Sequence, residues 1–210
     1  MKYLLLFLLI IPGLAYSQIS EPENEKNFSL GIVPQYAIVS GFRVDLDFKL
    51  NDKNHWILVA PQLYINNNST VLHNYNNMFG AGLELQHKIY LKKNLEKVNF
   101  YLAYGPTFNY FSVAEDQLLA ENFTESGSNY IKLVEGETTT NIYKLGGNLI
   151  MGIRFIIGNN LYMETYIGSG IRLSFDNKTD GLHKHYDDWW GDMGYSGTLM
   201  VGGYKFGITF

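Results

Sequence analysis

Alternation with a period of two constrains this chain more than any other feature. In Phe42-Arg43-Val44-Asp45-Leu46-Asp47-Phe48-Lys49-Leu50 every second residue is bulky and apolar, and every residue between is charged. Successive side chains of a β-strand point to opposite faces, so this segment has one greasy face and one ionic face. The same pattern predicts strands at about Phe28–Val39, His55–Asn66, Phe79–Leu91, Val98–Phe111, Tyr143–Ile157 and Leu161–Phe175. A last strand ends the chain, with Tyr204, Phe206, Ile208 and Phe210 set against Lys205 and Thr209. The connections Asn51–Asn54, Lys92–Lys97 and Gly158–Asn160 are tight and polar, whereas Asn67–Met78, Val113–Asn141 and Asp176–Ser196 are long. That rhythm predicts an all-β fold: a transmembrane up-and-down antiparallel barrel of about eight strands, with short turns at one end and long loops at the other.

Volume decides which face points out. An eight-stranded barrel has an interior just wide enough to be filled by side chains. Several bulky apolar residues from every strand overfill it, but they fit outside against lipid. The opposite face carries Gly31, Gly80, Gly82, Gly105, Gly146, Gly152, Gly168, Gly170, Gly203 and Gly207, which suit a narrow lumen. It also carries Arg43, Lys49, Lys88, Lys144, Arg154, Arg172 and Lys205 with Asp45, Asp47, Glu84 and Glu164. Buried charges must be paired, so these eleven residues are expected to form a structural charge network in the lumen. A turn centred on Asn159 places Arg154 opposite Glu164, which predicts a cross-strand ion pair.

The N-terminus carries a separate signal. Lys2 precedes an apolar run, Tyr3–Ile11, and Ala15-Tyr16-Ser17 supplies small residues ahead of Gln18. The run is short of the ~20 residues a membrane helix needs and has the layout of a cleaved secretion signal. The expected organisation is a signal peptide over 1–17, a periplasmic tail over 18–27 and a barrel over 28–210. The chain has no cysteine, which removes disulfides, thiolate metal sites and a catalytic thiol. A net charge of −4 gives no basic footprint for nucleic acid. Aromatic residues cluster at strand ends: Phe28, Phe48, Phe100, Phe155 and Phe210 at one rim, and Tyr36, Phe42, Phe79, Tyr110, Tyr143 and Phe175 at the other. Such girdles mark membrane interfaces. Pro34, Pro61 and Pro106 fall inside predicted strands, where a missing N–H predicts bulges or irregular ladders.

On these features the chain resembles the small OmpA/OmpX-like outer-membrane β-barrel family, particularly the porin-type barrels of Bacteroidetes. The resemblance rests on Ala15-Tyr16-Ser17-Gln18, on the alternating strands, and on the closing Gly202-Gly203-Tyr204-Lys205-Phe206-Gly207-Ile208-Thr209-Phe210. It implies a Gram-negative outer-membrane location. It also implies that Tyr204, Phe206, Ile208 and Phe210 form the signal read by the barrel-assembly machinery, with outer-membrane lipid and lipopolysaccharide as surroundings. It implies no shared activity.

The remaining motifs point to interaction more than to chemistry. His183, His185, Asp187 and Asp188 offer metal-ligand types, but no further ligand set accompanies them, and solvated loop residues have the same composition. Trp189 and Trp190 suit a partner contact or a loop lying among headgroups. The acidic 113–142 segment and the 176–196 segment are the expected surfaces for an envelope protein partner. A narrow pore is the first alternative, favouring anions because seven basic residues face four acidic ones. A lipid hydrolase or acyltransferase is the second. It needs a hydroxyl beside a histidine, and the strand histidines His55 and His87 have no serine at matching depth. The expectation is therefore a structural or interaction role, with no catalysis, metal or cofactor.

Overall fold

The computed structural model describes residues 26–50, 54–67, 75–92, 97–125, 127–177 and 193–210. The signal-peptide segment, residues 18–25 of the tail, and the His183, His185, Trp189 and Trp190 cluster lie outside them. Eight strands follow one another: β1 (Phe28–Ile32), β2 (Gly41–Lys49), β3 (His55–Asn66), β4 (Asn77–Tyr90), β5 (Val98–Glu125), β6 (Ser128–Ile157), β7 (Leu161–Asp176) and β8 (Gly197–Thr209). Each pairs antiparallel with the next, and β1 pairs with β8 to close the barrel. Closure leaves every strand a partner on both sides, which is how a sheet avoids open edges.

Alternation places the side chains. On β2, Arg43, Asp45 and Asp47 are buried in the lumen, while Phe42 and Phe48 are exposed outside. On β7, Glu164 and Arg172 are inside, and Ile167, Ile171 and Leu173 are outside. Around the wall this yields a continuous apolar exterior, with Leu149 59% exposed and Ile171 60% exposed. A water-soluble barrel of this size would have no reason to present such a belt.

The predicted first strand is too long. β1 stops at Ile32, and Pro34 opens a 3-10 helix, Pro34–Val39, that ends at Ser40 in a left-handed conformation (φ 55°). Proline has no N–H to give a ladder and suits the first turn of a helix, so the strand ends where the helix can begin. The correction moves Tyr36 from the outer girdle into the lumen, where its ring packs on Tyr64 at 6.1 Å and its hydroxyl accepts from Arg43 at 2.9 Å. Gln35 then does what the missing strand would have done. With its amide nitrogen toward the Tyr204 carbonyl, it bonds both backbone groups of Tyr204, at 2.8 and 3.3 Å.

Pro61 and Pro106 stay within strands and cause no register shift. The β2–β3 ladder lapses between Arg43↔Gln62 and Leu46↔Val59 and resumes in the same register. The β4–β5 ladder does the same between Glu84↔Thr107 and His87↔Tyr104. Each lapse lies on one side of the proline, and the opposite ladder is continuous. At the second lapse Gly105 approaches β4 so closely that a Cβ there would strike the Leu85 carbonyl.

The largest correction concerns Val113–Asn141, predicted as a loop. It is a two-stranded ribbon, in unbroken register from Val98↔Phe155 to Glu125↔Ser128, turning through Gly127 at φ 82°. β4 accompanies β5 only to Ala114, and β7 accompanies β6 only to Ile142. The ribbon beyond them rises about 35 Å at ~3.3 Å per residue. Its pairs explain it: Leu119 faces Val134, Glu121 faces Lys132, and Phe123 faces Tyr130 with ring centroids 5.4 Å apart. Apolar, opposite-charge and aromatic cross-strand pairs each favour a ribbon, and they offset the acidity that suggested a loop.

Candidate functional site

The lumen is the feature that defines what this barrel can do. From the short-turn end to mid-barrel, eight charged side chains join in one network of four acids and four bases. Arg43 bonds Asp45 at 2.6 Å and Glu84 at 2.5 Å. Lys205 reaches Asp45 at 2.5 Å, Glu164 at 3.2 Å and Asp47 at 3.8 Å. Lys88 reaches Glu164 at 2.7 Å and Asp47 at 3.6 Å. Arg154 bonds both Asp47 and Glu164 through its guanidinium, and Glu164 is its direct cross-strand neighbour. Neutral groups supply more bonds: Tyr101 donates to Glu164 at 3.2 Å, Arg154 donates to Ser29 at 3.0 Å, and Gln86 and Asn148 donate to Glu84. Asp47, Arg154 and Glu164 have no solvent exposure, and Lys88 and Lys205 have 1% and 2%. Moving ions out of water costs several kcal/mol each, so charges this deep persist only because each has several partners.

Aromatic rings sit around the network. The Arg154 guanidinium lies 4.1 Å from the centre of the Tyr162 ring, and the Lys88 ammonium lies 4.0 Å from that of Tyr101. Trp56, Tyr90 and Tyr101 pack in succession below, with centroids 5.9 and 5.6 Å apart. Two inner glycines are the seats of two of these rings, Tyr101 and Tyr162. A Cβ on Gly152 would strike the Tyr101 ring, its cross-strand partner, and one on Gly207 would strike Tyr162. Glycine opposite an aromatic lets the ring lie flat on the neighbouring strand, a device that also pins register.

Toward the ribbon end the chemistry reverses. Tyr64, Tyr75, Met78, Phe111, Val113, Ile142 and Met193 form a buried apolar cluster, with Tyr36 and Val39 of the 3-10 helix packed on it. Met78 and Ile142 are fully buried. The lumen is thus stoppered by hydrocarbon above and filled by ion pairs below.

No family model and no curated protein matches this sequence. Among solved structures, the chain is similar to the N-terminal β-barrel domain of Pseudomonas aeruginosa OprF, at 9% identity and a TM-score of 0.42, over 89% of this chain and 98% of that one. It is also similar to Acinetobacter baumannii CarO, at 13% identity and a TM-score of 0.40, over 90% of this chain and 99% of that one. The eight-stranded architecture rests on this chain's own closed register.

Of the eleven charged residues expected in the lumen, the eight just described come together. The other three occupy further positions on the wall. Arg172 donates to the carbonyls of Gly147 and Ile171 at 3.2 and 3.0 Å. Lys144 lies beside the Phe111 ring at 6.0 Å, and Lys49 ends β2 opposite Trp56. In the last strand Tyr204 and Phe206 face outward, and Phe210 stacks on Phe28 at 5.8 Å with Phe48 on the other side of Phe28, so three rings of one rim girdle are in contact. The inward aromatics and apolar side chains were not foreseen: Trp56, Leu58, Tyr64, Tyr90, Tyr101, Phe111 and Tyr162 are buried inside. Part of their signal lies in the strand parity, since each alternates with outward apolar residues, and Tyr64, Tyr101, Phe111 and Tyr162 face glycine on a neighbouring strand.

Proposed function

We propose that this protein is an integral barrel of a Gram-negative outer membrane, sealed along its axis, that works as a structural or interaction element. The observation that carries the reading is the solvent-free ionic layer of Asp47, Lys88, Arg154, Glu164 and Lys205 inside a wall with an apolar exterior. Water and ions need a continuous wet path, and this layer offers none. The exterior belt supports insertion in lipid, with the short turns periplasmic and the ribbon of β5 and β6 outside the cell. The ribbon's acidic surface, Asp116, Glu121, Glu125, Glu135 and Glu137 against Lys132, suits an envelope partner of opposite charge; Glu115, at its base, is buried. Outward Tyr204, Phe206, Ile208 and Phe210 would address the chain to the assembly machinery, and lipid and lipopolysaccharide would surround the belt.

Planar-bilayer recording on the full chain tests the sealed state. Electrical silence is expected, while steady unitary currents would replace this reading with the narrow pore. The four-to-four balance of the network also weakens the charge excess from which anion preference was argued. Against hydrolysis, His87 bonds a phenol and another imidazole, and the lumen carboxylates lie on the opposite face of the wall.

A further inference from the structure

On the outer face of β3, β4 and β5, where the wall is otherwise apolar, three polar rings form one hydrogen-bonded chain. His55 Nδ1 lies 2.9 Å from His87 Nε2, and His87 Nδ1 lies 2.8 Å from Tyr104 Oη. The two imidazole centroids are 5.0 Å apart and their planes 15° from parallel. With the nitrogens in contact, the rings therefore meet end to end and not face to face. Tyr104 stands edge-on to His87, at 83°. Their outer-face register neighbours Phe48, Ile57, Leu85, Ile89 and Leu102 carry no charge.

A neutral imidazole has one donor and one acceptor. His87 uses both within the chain, so the proton order is tied together. Either Tyr104 donates to His87 and His87 to His55, or the whole sequence runs in reverse. The first order leaves His55 Nε2–H as the outward donor, and the second leaves the Tyr104 hydroxyl. A donor left unmade against hydrocarbon carries its full desolvation cost. A zinc-like ion does not fit between the imidazoles, since it needs about 2.0–2.1 Å on each side; a contact of 2.9 Å holds a shared proton. His55 is the first residue of β3, at the short-turn end, and Phe48 of the rim girdle pairs with Ile57 two residues along the same strand. His55 Nε2, which the chain of rings does not use, is thus at headgroup depth. An anionic oxygen there selects the first proton order, because it accepts a charge-assisted bond from His55 Nε2–H.

We infer that the His55–His87–Tyr104 chain is a binding site for the phosphate of a glycerophospholipid in the leaflet at the short-turn end. The inference rests on the membrane reading above and specifies one lipid contact within it. The test uses the full chain folded in a maltoside detergent, which has no phosphate, with ¹⁵N-labelled histidine. Added phosphatidylethanolamine should move the His55 Nε2 resonance, with His87 following, and saturate at one lipid per barrel. His55→Gln and His87→Gln should each weaken lipid retention, read by native mass spectrometry, by about tenfold. Unheated gel mobility reports whether each variant is folded, and the shift in the unsubstituted chain decides the matter if neither is. No shift with phospholipid overturns the site, as does an equal shift with diacylglycerol, which has no phosphate. An equal shift with inorganic phosphate overturns the lipid assignment. Flotation with phospholipid vesicles tests the membrane reading separately: a chain that floats without the shift loses this inference alone, and one that fails to float loses both.

Discussion

The two halves of the lumen are closed by opposite means. Near the short turns, the space is filled by ion pairs in which every member depends on several others. Near the ribbon, it is filled by Met78, Phe111, Val113, Ile142 and their neighbours, which depend only on volume. The difference teaches where the barrel is brittle. Removing one charge from a buried network leaves its partners desolvated and uncompensated, whereas removing one apolar group leaves a void.

The sharpest way to break this comparison is Arg154→Ala, which strips a donor from both Asp47 and Glu164. Stability should fall by about 3–5 kcal/mol. Urea unfolding in vesicles measures it, with Trp56, 5.9 Å from the guanidinium, as a fluorescence reporter. A loss below ~1 kcal/mol would mean that Lys88 and Lys205 compensate, and the contrast between the halves would collapse. Met78→Ala in the apolar half should cost about 2–5 kcal/mol, at the lower end if the cluster relaxes into the space. The same unfolding curve reads it, and a cost above that of Arg154→Ala would reverse the ranking. Leu118→Ser should change stability by no more than about 0.5 kcal/mol, because this ribbon leucine is 57% exposed. A larger loss by thermal unfolding would show that the ribbon's outer face is covered in the folded protein.

Much of the wall was legible from the residues because a period of two has only one register of faces. Phe42 through Leu50 could not be slid by one position without sending Arg43, Asp45 and Asp47 into lipid. Arg154 opposite Glu164 followed from a three-residue turn, since antiparallel pairing is symmetric about its centre. The ribbon was not legible because its acidic composition is shared with solvated loops. The pairs that favour it, Glu121 with Lys132 and Phe123 with Tyr130, become visible only once the turn at Gly127 is placed. The end of β1 was missed for a similar reason: Pro34 is compatible with a strand or with a helix start, and the Gln35 contact with Tyr204 lies at a separation of 169 residues.

The alternation along each strand determined that one face is hydrocarbon and the other charged, and the volume of those side chains set the hydrocarbon outward. Local sterics of the extended backbone enforce that parity wherever the strand is placed. Which inner side chains meet was decided by the closed ring alone. Arg154 on β6 reaches Asp47 on β2, and Lys88 on β4 reaches Glu164 on β7. These contacts cross the barrel's diameter, and a distance across a lumen depends on strand number and tilt, neither of which any single strand encodes.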